Sequence, residues 1–312
     1  MPPDILVICG PTASGKTRLG VELALRLDGE VVSADSMQVY RGMDVGTAKP
    51  TPAERRGVPH HMLDVADPRE AYSVARFVVD ASRCVDDILA RGKRPLVVGG
   101  TGLYIDALVA GRHFAPFHGA RREALLRRAE TQGIRALHEE LRAVDPERAA
   151  KLHPADQKRV IRALEVWYET GRTISQHDAA TRAAPPRYRA LFLGLAFRDR
   201  ADMWSRIDAR VDEMAANGLA DEVSALLAAG VSPRCTSMQA IGYKELAAAL
   251  REGQPLWEAL DQIKLRTRQY AKRQLTWFRR RADVRWHLWE HSPDFSRAVQ
   301  DSTAYLEEFG IL

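Results

Sequence analysis

The chain has 312 residues, 46% hydrophobic and 28% charged, with a net charge of +5, an ordinary globular composition with core enough for one large or two modest domains. Three scattered cysteines (Cys9, Cys84, Cys235) with no C-x-x-C spacing argue against a zinc site or a disulfide framework and suit a reducing cytosol. No apolar run approaches about 18 residues and no basic region opens the chain, so neither a membrane span nor a signal peptide is expected, and the expected location is cytoplasmic.

Residues 4–9 read as a short buried strand and 15–27 as a helix. Between them stands Gly10-Pro11-Thr12-Ala13-Ser14-Gly15-Lys16-Thr17, which fits the P-loop pattern G-x-x-x-x-G-K-[ST] in its proper context. The loop N–H groups and the helix N-terminus would face a phosphate. Lys16 would add a full charge and the Thr17 hydroxyl could reach a magnesium ion (Mg2+). Such a loop promises a di- or triphosphate without saying which.

A second buried strand is expected at 30–35, ending in Asp35-Ser36. Residues 37–50 read mostly as loop and 60–65 as a third strand. Residues 72–90 have helical periodicity, with Ser73 as a cap. A further strand at 94–98 ends in Gly99-Gly-Thr-Gly102 and feeds a helix through Leu108. Strand–helix alternation with right-handed crossovers predicts a parallel sheet with ligands at the strands' carboxyl ends.

The pattern changes from about residue 114 to 186. Helices fit 120–131, 134–143, 146–152 and 156–170, and twelve Lys or Arg with nine Asp or Glu crowd residues 121–172. The expectation is a P-loop NTPase-like α/β core, residues 1–113 and 187–312, carrying an all-helical insertion domain at 114–186. Residues 189–195 resume the sheet. Helices follow at 201–216, 219–228, 237–250 and 257–281, then a last strand at 284–288 and a terminal helix at 295–309.

Charge is concentrated in one segment. From Lys264 to Arg285 nine Lys or Arg face one acid, Asp283, a footprint suited to a polyanion. Arg266, Tyr270, Arg273, Trp277 and Arg280 recur at helical spacing and form one stripe, where arginines beside aromatics suit phosphate contact and base stacking. Ile263, Thr267, Ala271, Leu275 and Phe278 line a less polar face.

Three positions beside the loop can carry chemistry. Asp35, at a strand end, can take a proton from an acceptor, hold magnesium's water shell or simply cap a loop. Thr101 can bond a phosphate or a reacting amine, or cap the helix after it. Arg206 and Arg210, four apart, share a helix face; either can reach a phosphate or pair with a surface carboxylate. The strand ending at Gly99 lacks the terminal Asp of a Walker B motif, which weakens a hydrolytic ATP motor. His60, His61, His113 and His118 show no metal-ligand spacing and read as structural.

These residues together resemble the bacterial tRNA dimethylallyltransferase family. The resemblance rests on Gly10–Thr17, on Asp35-Ser-Met-Gln-Val-Tyr-Arg-Gly-Met-Asp-Val-Gly-Thr-Ala-Lys-Pro50 and on Val58-Pro-His-His-Met-Leu-Asp64. It continues in the Gly-Gly-Thr-Gly turn, in Gln157-Lys-Arg-Val-Ile-Arg162, in Met238-Gln-Ala-Ile-Gly-Tyr243 and in Thr267-Arg-Gln-Tyr-Ala-Lys-Arg-Gln-Leu-Thr-Trp-Phe278. It implies that the loop holds dimethylallyl diphosphate with Mg2+, not ATP, and that Asp35 is the base toward an adenine amine. By the same resemblance Lys16 and Thr101 join the catalytic set, and Arg210 binds the diphosphate. It implies a tRNA anticodon stem-loop as partner, met by Asp35, Ser36, Met37, Gln38 and Thr101, by Gln157, Lys158, Arg159, Val160 and Ile161, and by Met238, Gln239, Gly242 and Tyr243. The residues of the basic helix add Arg273, Trp277 and Arg280 to that list, and a monomer is expected. Arg121 and Arg122 lie in a stretch too variable to align. Two other readings stay open on the residues themselves: a small-molecule kinase using ATP, and a non-catalytic RNA-binding protein with a nucleotide switch.

Overall fold

The computed structural model describes residues 4–112, 114 and 119–311; His113 and His118 lie outside them. Six strands form one all-parallel sheet: β1 (Ile5–Cys9), β2 (Gly29–Ser33), β3 (His60–His61), β4 (Arg94–Gly99), β5 (Ala190–Phe197) and β6 (Val284–Trp289). Their order across the sheet is β3-β2-β4-β1-β5-β6. β1 is buried at all five positions, as a central strand covered on both faces requires, which is why its sequence is a continuous apolar run.

Helices cover the sheet. The helix Lys16–Arg26 turns Leu19, Val21, Leu23 and Ala24 inward. Each such Leu or Val removed from water contributes roughly 1.5–3 kcal/mol. The helix Val74–Ala90 begins as its sequence indicates, with Ser73 Oγ accepting the Arg76 N–H at 3.2 Å. Among the described residues no helix is long and apolar enough to cross a membrane.

The chain falls into two compact units: Met1–Gly111 with Arg187–Leu312, and Arg112–Pro186. The second is all helix in its described residues, with a core of its own that includes Leu125, Leu137, Leu141, Val160, Ile161 and Leu164. It holds one helix that the periodicity does not mark, Ile174–Ala183, which opens with a capping box between Thr173 and Gln176 and buries none of its residues. A helix without an apolar stripe leaves no periodic signal, and only its T-x-x-Q start was readable.

Three expected elements change. The strand at 60–65 shrinks to His60–His61, because positive φ at Met62 and Asp64 breaks extended backbone. The helix at 237–250 is a short turn, Ser237–Gln239, and a separate helix, Tyr243–Glu252, parted at Gly242. The basic helix runs Leu256–Phe278 and stops three residues early.

Candidate active site

Strand register builds the site. Ile8 pairs with Val98, and Val98 pairs with Ser33. Gly10, Gly100 and Asp35 each lie two residues beyond that row, so three strand ends present their loops in one layer. Asp35 and the phosphate loop are therefore not on neighbouring strands: β4 lies between them and places Gly99-Gly100-Thr101 at the centre.

The loop Gly10–Thr17 is shaped by left-handed backbone at Ala13 and Gly15. Gly15, at φ 88°, has a second reason to be glycine: a Cβ there would stand 2.6 Å from the Phe295 ring. From outside, Trp289 Nε1 donates to Ser14 O at 2.9 Å, and its ring tilts against Phe295. The C-terminal strand and helix thus brace the loop, a role that the sequence alone did not reveal. Lys16 Nζ donates to Pro11 O at 2.6 Å. Burial lowers its ammonium to about 8, Arg210's charge adds to that, and Asp35 opposes it.

Asp35 Oδ1 accepts the Met37 and Gln38 N–H groups at 2.8 and 3.3 Å. The carboxylate thus orders its own loop, and among the described residues Oδ2 has no hydrogen-bond partner. Thr101 precedes the helix Gly102–Ala110 but does not cap it; its Oγ1 instead accepts the Ser36 N–H at 3.2 Å. Arg210, on the helix Arg200–Ala216, is lowered chiefly by burial, and Asp35 raises it. A cavity of about 1010 Å³ collects Lys16, Thr17, Asp35, Gln38, Arg210 and Tyr270 on its walls. Arg206 also lines it, more exposed than Arg210.

One wall of the cavity is the stretch 44–51. Gln38 Nε2 donates to Thr47 O and Ala48 O, each at 3.2 Å. Glu222 accepts the N–H groups of Asp44, Val45 and Gly46 at 2.7, 2.8 and 3.1 Å, and also the Tyr243 hydroxyl. Lys49 Nζ, buried, bonds Asp64 at 2.6 Å and Tyr40 O at 2.9 Å. Glu222 belongs to no recognisable motif and works only through partners distant in the chain; Lys49 stands inside the Asp35–Pro50 stretch, but its buried role shows only in its contacts.

Other expected contacts divide by burial. Gln157, Lys158, Arg159, Gln239, Arg273 and Arg280 are exposed, and Ser36 and Met37 are half-buried. Gly242 is buried, and Met238, Tyr243, Val160 and Ile161 are core side chains, 0 to 1% exposed. Those four side chains face inward, so contact with RNA at these positions would run through their backbone or through their exposed sequence neighbours. On the basic helix, Lys264, Arg266 and Arg268 pair with Asp212, Glu245 and Asp208, and Arg281 with Asp106 and Asp283. Among the described residues Lys272, Arg273, Arg279 and Arg280 stay exposed and unpaired. Trp277 is 37% exposed, and its Nε1 donates to Asp106 at 2.8 Å. Tyr270 stays beside Arg273, whose guanidinium lies 5.8 Å from its ring centroid, and also lines the cavity. Of the histidines, His60 Nδ1 bonds Val58 O and His61 Nε2 bonds Glu30, both structural contacts.

The family model described as IPP transferase matches residues 38–281. The chain belongs to the IPP transferase family. It is 45% identical over 306 residues to the tRNA dimethylallyltransferase of Caldanaerobacter subterraneus subsp. tengcongensis, covering 97% of each chain. Its structure is similar to that of the full-length tRNA isopentenylpyrophosphate transferase from Bacillus halodurans, with a TM-score of 0.71, 41% identity and 98% and 97% of the two chains covered. It is also similar to a eukaryotic dimethylallyltransferase acting on tRNA, with a TM-score of 0.82, 30% identity, and 97% of this chain and 79% of that one covered.

For an IPP transferase the donor set at this site can be tested against a metal. No three His, Cys, Asp or Glu side chains converge as a cage among the described residues. The hard oxygens on the cavity wall include the Thr17 hydroxyl beside Lys16 and the Asp35 carboxylate, with Glu22, Asp44, Glu54 and Glu213 elsewhere on the lining. The Thr17 hydroxyl fits Mg2+, which keeps waters and takes other ligands from a substrate's phosphates.

Proposed function

We infer that this IPP transferase moves a dimethylallyl group from dimethylallyl diphosphate to the exocyclic N6 amine of the adenine 3′-adjacent to the anticodon in tRNA, releasing diphosphate. The observation that carries the reading is one cavity lined at once by the phosphate loop, by Asp35 and by Arg210. Two half-buried cations, Lys16 and Arg210, and a carboxylate around one cavity support the reading.

The chemistry follows from the parts. An adenine amine is a weak nucleophile because its lone pair is delocalised into the ring. The allylic carbon is a ready electrophile because its developing cation is resonance-stabilised. As the C–N bond forms and the C–O bond breaks, negative charge grows on the diphosphate. Lys16, the free N–H groups of the loop and Arg210 meet that charge. One well-aimed donor of this kind is worth roughly 3–4 kcal/mol. Asp35 Oδ2 takes the amine proton, a contribution of about 10²–10⁴-fold. Thr101, fixed against the Asp35 loop, orients the amine. Thr17 would hold Mg2+, which when bound would neutralise part of the diphosphate charge.

The adenine must leave its stack, which costs a few kcal/mol and less in a loop. The exposed cations of the basic helix, Arg273 and Arg280 among them, with Gln157, Lys158 and Arg159 of the helical unit, offset that through contacts to the RNA backbone. The core then uses a P-loop NTPase-like design as a diphosphate cradle. The test is incubation of the protein with dimethylallyl diphosphate and an anticodon stem-loop RNA, followed by mass analysis of the nucleosides. The expected product is prenylated adenosine; unmodified adenosine with a phosphorylated product from ATP would overturn the reading.

A further inference from the structure

The basic helix carries two side chains that no step above uses. Gln274 is 6% exposed. Its Oε1 accepts the Thr12 N–H at 2.8 Å, and its Nε2 donates to Gly100 O at 2.9 Å. One amide thus ties the phosphate loop to the turn after β4. One helical turn earlier, Tyr270 lines the cavity, while Gly100 leads directly into Thr101, whose N–H donates to Ala34 O at 3.2 Å. Thr101 in turn receives the N–H of Ser36, the residue after Asp35. The links run without a break from the loop around the leaving group to the loop around the base.

The sheet cannot do this job alone. Ladder bonds fix β1 against β4 as far as Cys9 and Gly99, and Ala34 N–H to Val98 O and Thr101 N–H to Ala34 O tie the end of β2 to the turn after β4, but the phosphate loop lies beyond the last pair of β1 with β4. Gly100 shows how closely the bridge is fitted: a Cβ there would stand 2.2 Å from Gln274 Nε2. Thr12 also has its N–H committed to Gln274, so this amide is not free for a phosphate.

We propose that Gln274 is a positioning residue for group transfer: by joining Thr12 to Gly100 it sets the distance between the diphosphate loop and the Asp35 loop, to which Thr101, the residue after Gly100, is already bonded. The inference rests on the transferase reading above. It predicts a large effect from a side chain whose amide is bonded on both sides to backbone, because a misplacement of about 1 Å costs about 10²-fold in rate.

The test compares single-turnover and steady-state transfer in variants whose fold is first checked by circular dichroism. Gln274→Met keeps the volume and loses both links; its kcat should fall about 10²-fold, while affinity for the anticodon stem-loop stays unchanged because Arg273 and Arg280 remain in place. Gln274→Glu keeps the acceptor for Thr12 and should recover part of the rate. Gly100→Ala should displace the amide, and in a Gln274→Ala background, where the new methyl has room, it should add no further loss. Wild-type kcat in Gln274→Met overturns the proposal. So does a loss of RNA affinity in parallel with kcat, which would mean that the helix as a whole has moved, or fully multiplicative losses in the double variant. Absence of transfer by the wild-type control would instead overturn the parent reading, and this one with it.

Discussion

Lys16 and Arg210 in the cavity and the paired arginines of the helical unit live under opposite rules. In the helical unit arginines are matched to carboxylates: Arg121 to Glu169 at 2.8 Å, Arg128 to Glu140 at 2.6 Å, Arg162 to Glu165 at 3.0 Å. In the cavity Lys16 finds a carbonyl, and Arg210 has no carboxylate partner among the described residues. Both are lowered by burial. A desolvated, unmatched cation is destabilising unless an anion completes it. The difference separates charge that holds helices together from charge that waits for a ligand.

The first way to break that comparison is to remove the base. Asp35→Ala should abolish detectable transfer, a loss of at least about 10²–10⁴-fold, while an RNA titration followed by fluorescence anisotropy shows binding intact. Next comes the unmatched cation. Arg210→Ala should lower kcat/KM for dimethylallyl diphosphate by about 10²–10³-fold, because Arg206, its neighbour on the cavity wall, is the more exposed of the two.

A pH profile tests Lys16 with less disruption. Diphosphate favours the ammonium, so binding takes up a proton whenever the free loop has lost one. With Lys16 lowered to about 8, kcat/KM for the diphosphate should be full below that pH and fall above it, since this parameter reports the free enzyme. Lys16→Arg should remove the alkaline limb whatever it does to the maximum, because a guanidinium stays charged there. The smallest effect belongs to the other region. Arg121→Ala opens a half-exposed pair and should shift thermal stability by less than about 1 kcal/mol, leaving the KM for dimethylallyl diphosphate unchanged.

The sequence marked some of this site and hid the rest for physical reasons. β1, β4 and β5 were readable because strands buried on both faces are apolar throughout. Gly10–Thr17 was readable because a phosphate loop needs fixed residues at fixed spacing. That β4 lies between β1 and β2 was not readable, since strand order is set by pairing across long loops and leaves no local mark. The phase of the basic helix was ambiguous too. Tyr270 shares a stripe with Arg273 and Trp277 by spacing and stays beside Arg273, yet it also lines the cavity with Gln274. A glutamine in a basic amphipathic helix looks like surface, and only the Thr12 and Gly100 contacts reveal otherwise. Met238 and Tyr243 sit in a stretch with the family's signature, but their side chains face inward.

The account's central claim is that Gly10–Thr17 holds a leaving group. The most direct measurement follows both halves of the donor, using dimethylallyl diphosphate labelled in the allyl chain and, separately, in the diphosphate, with an anticodon stem-loop as acceptor. The account predicts allyl label on adenine N6 and all diphosphate label released as free diphosphate. Phosphate label on the acceptor, or transfer of the terminal phosphate of ATP in a parallel reaction, would contradict it.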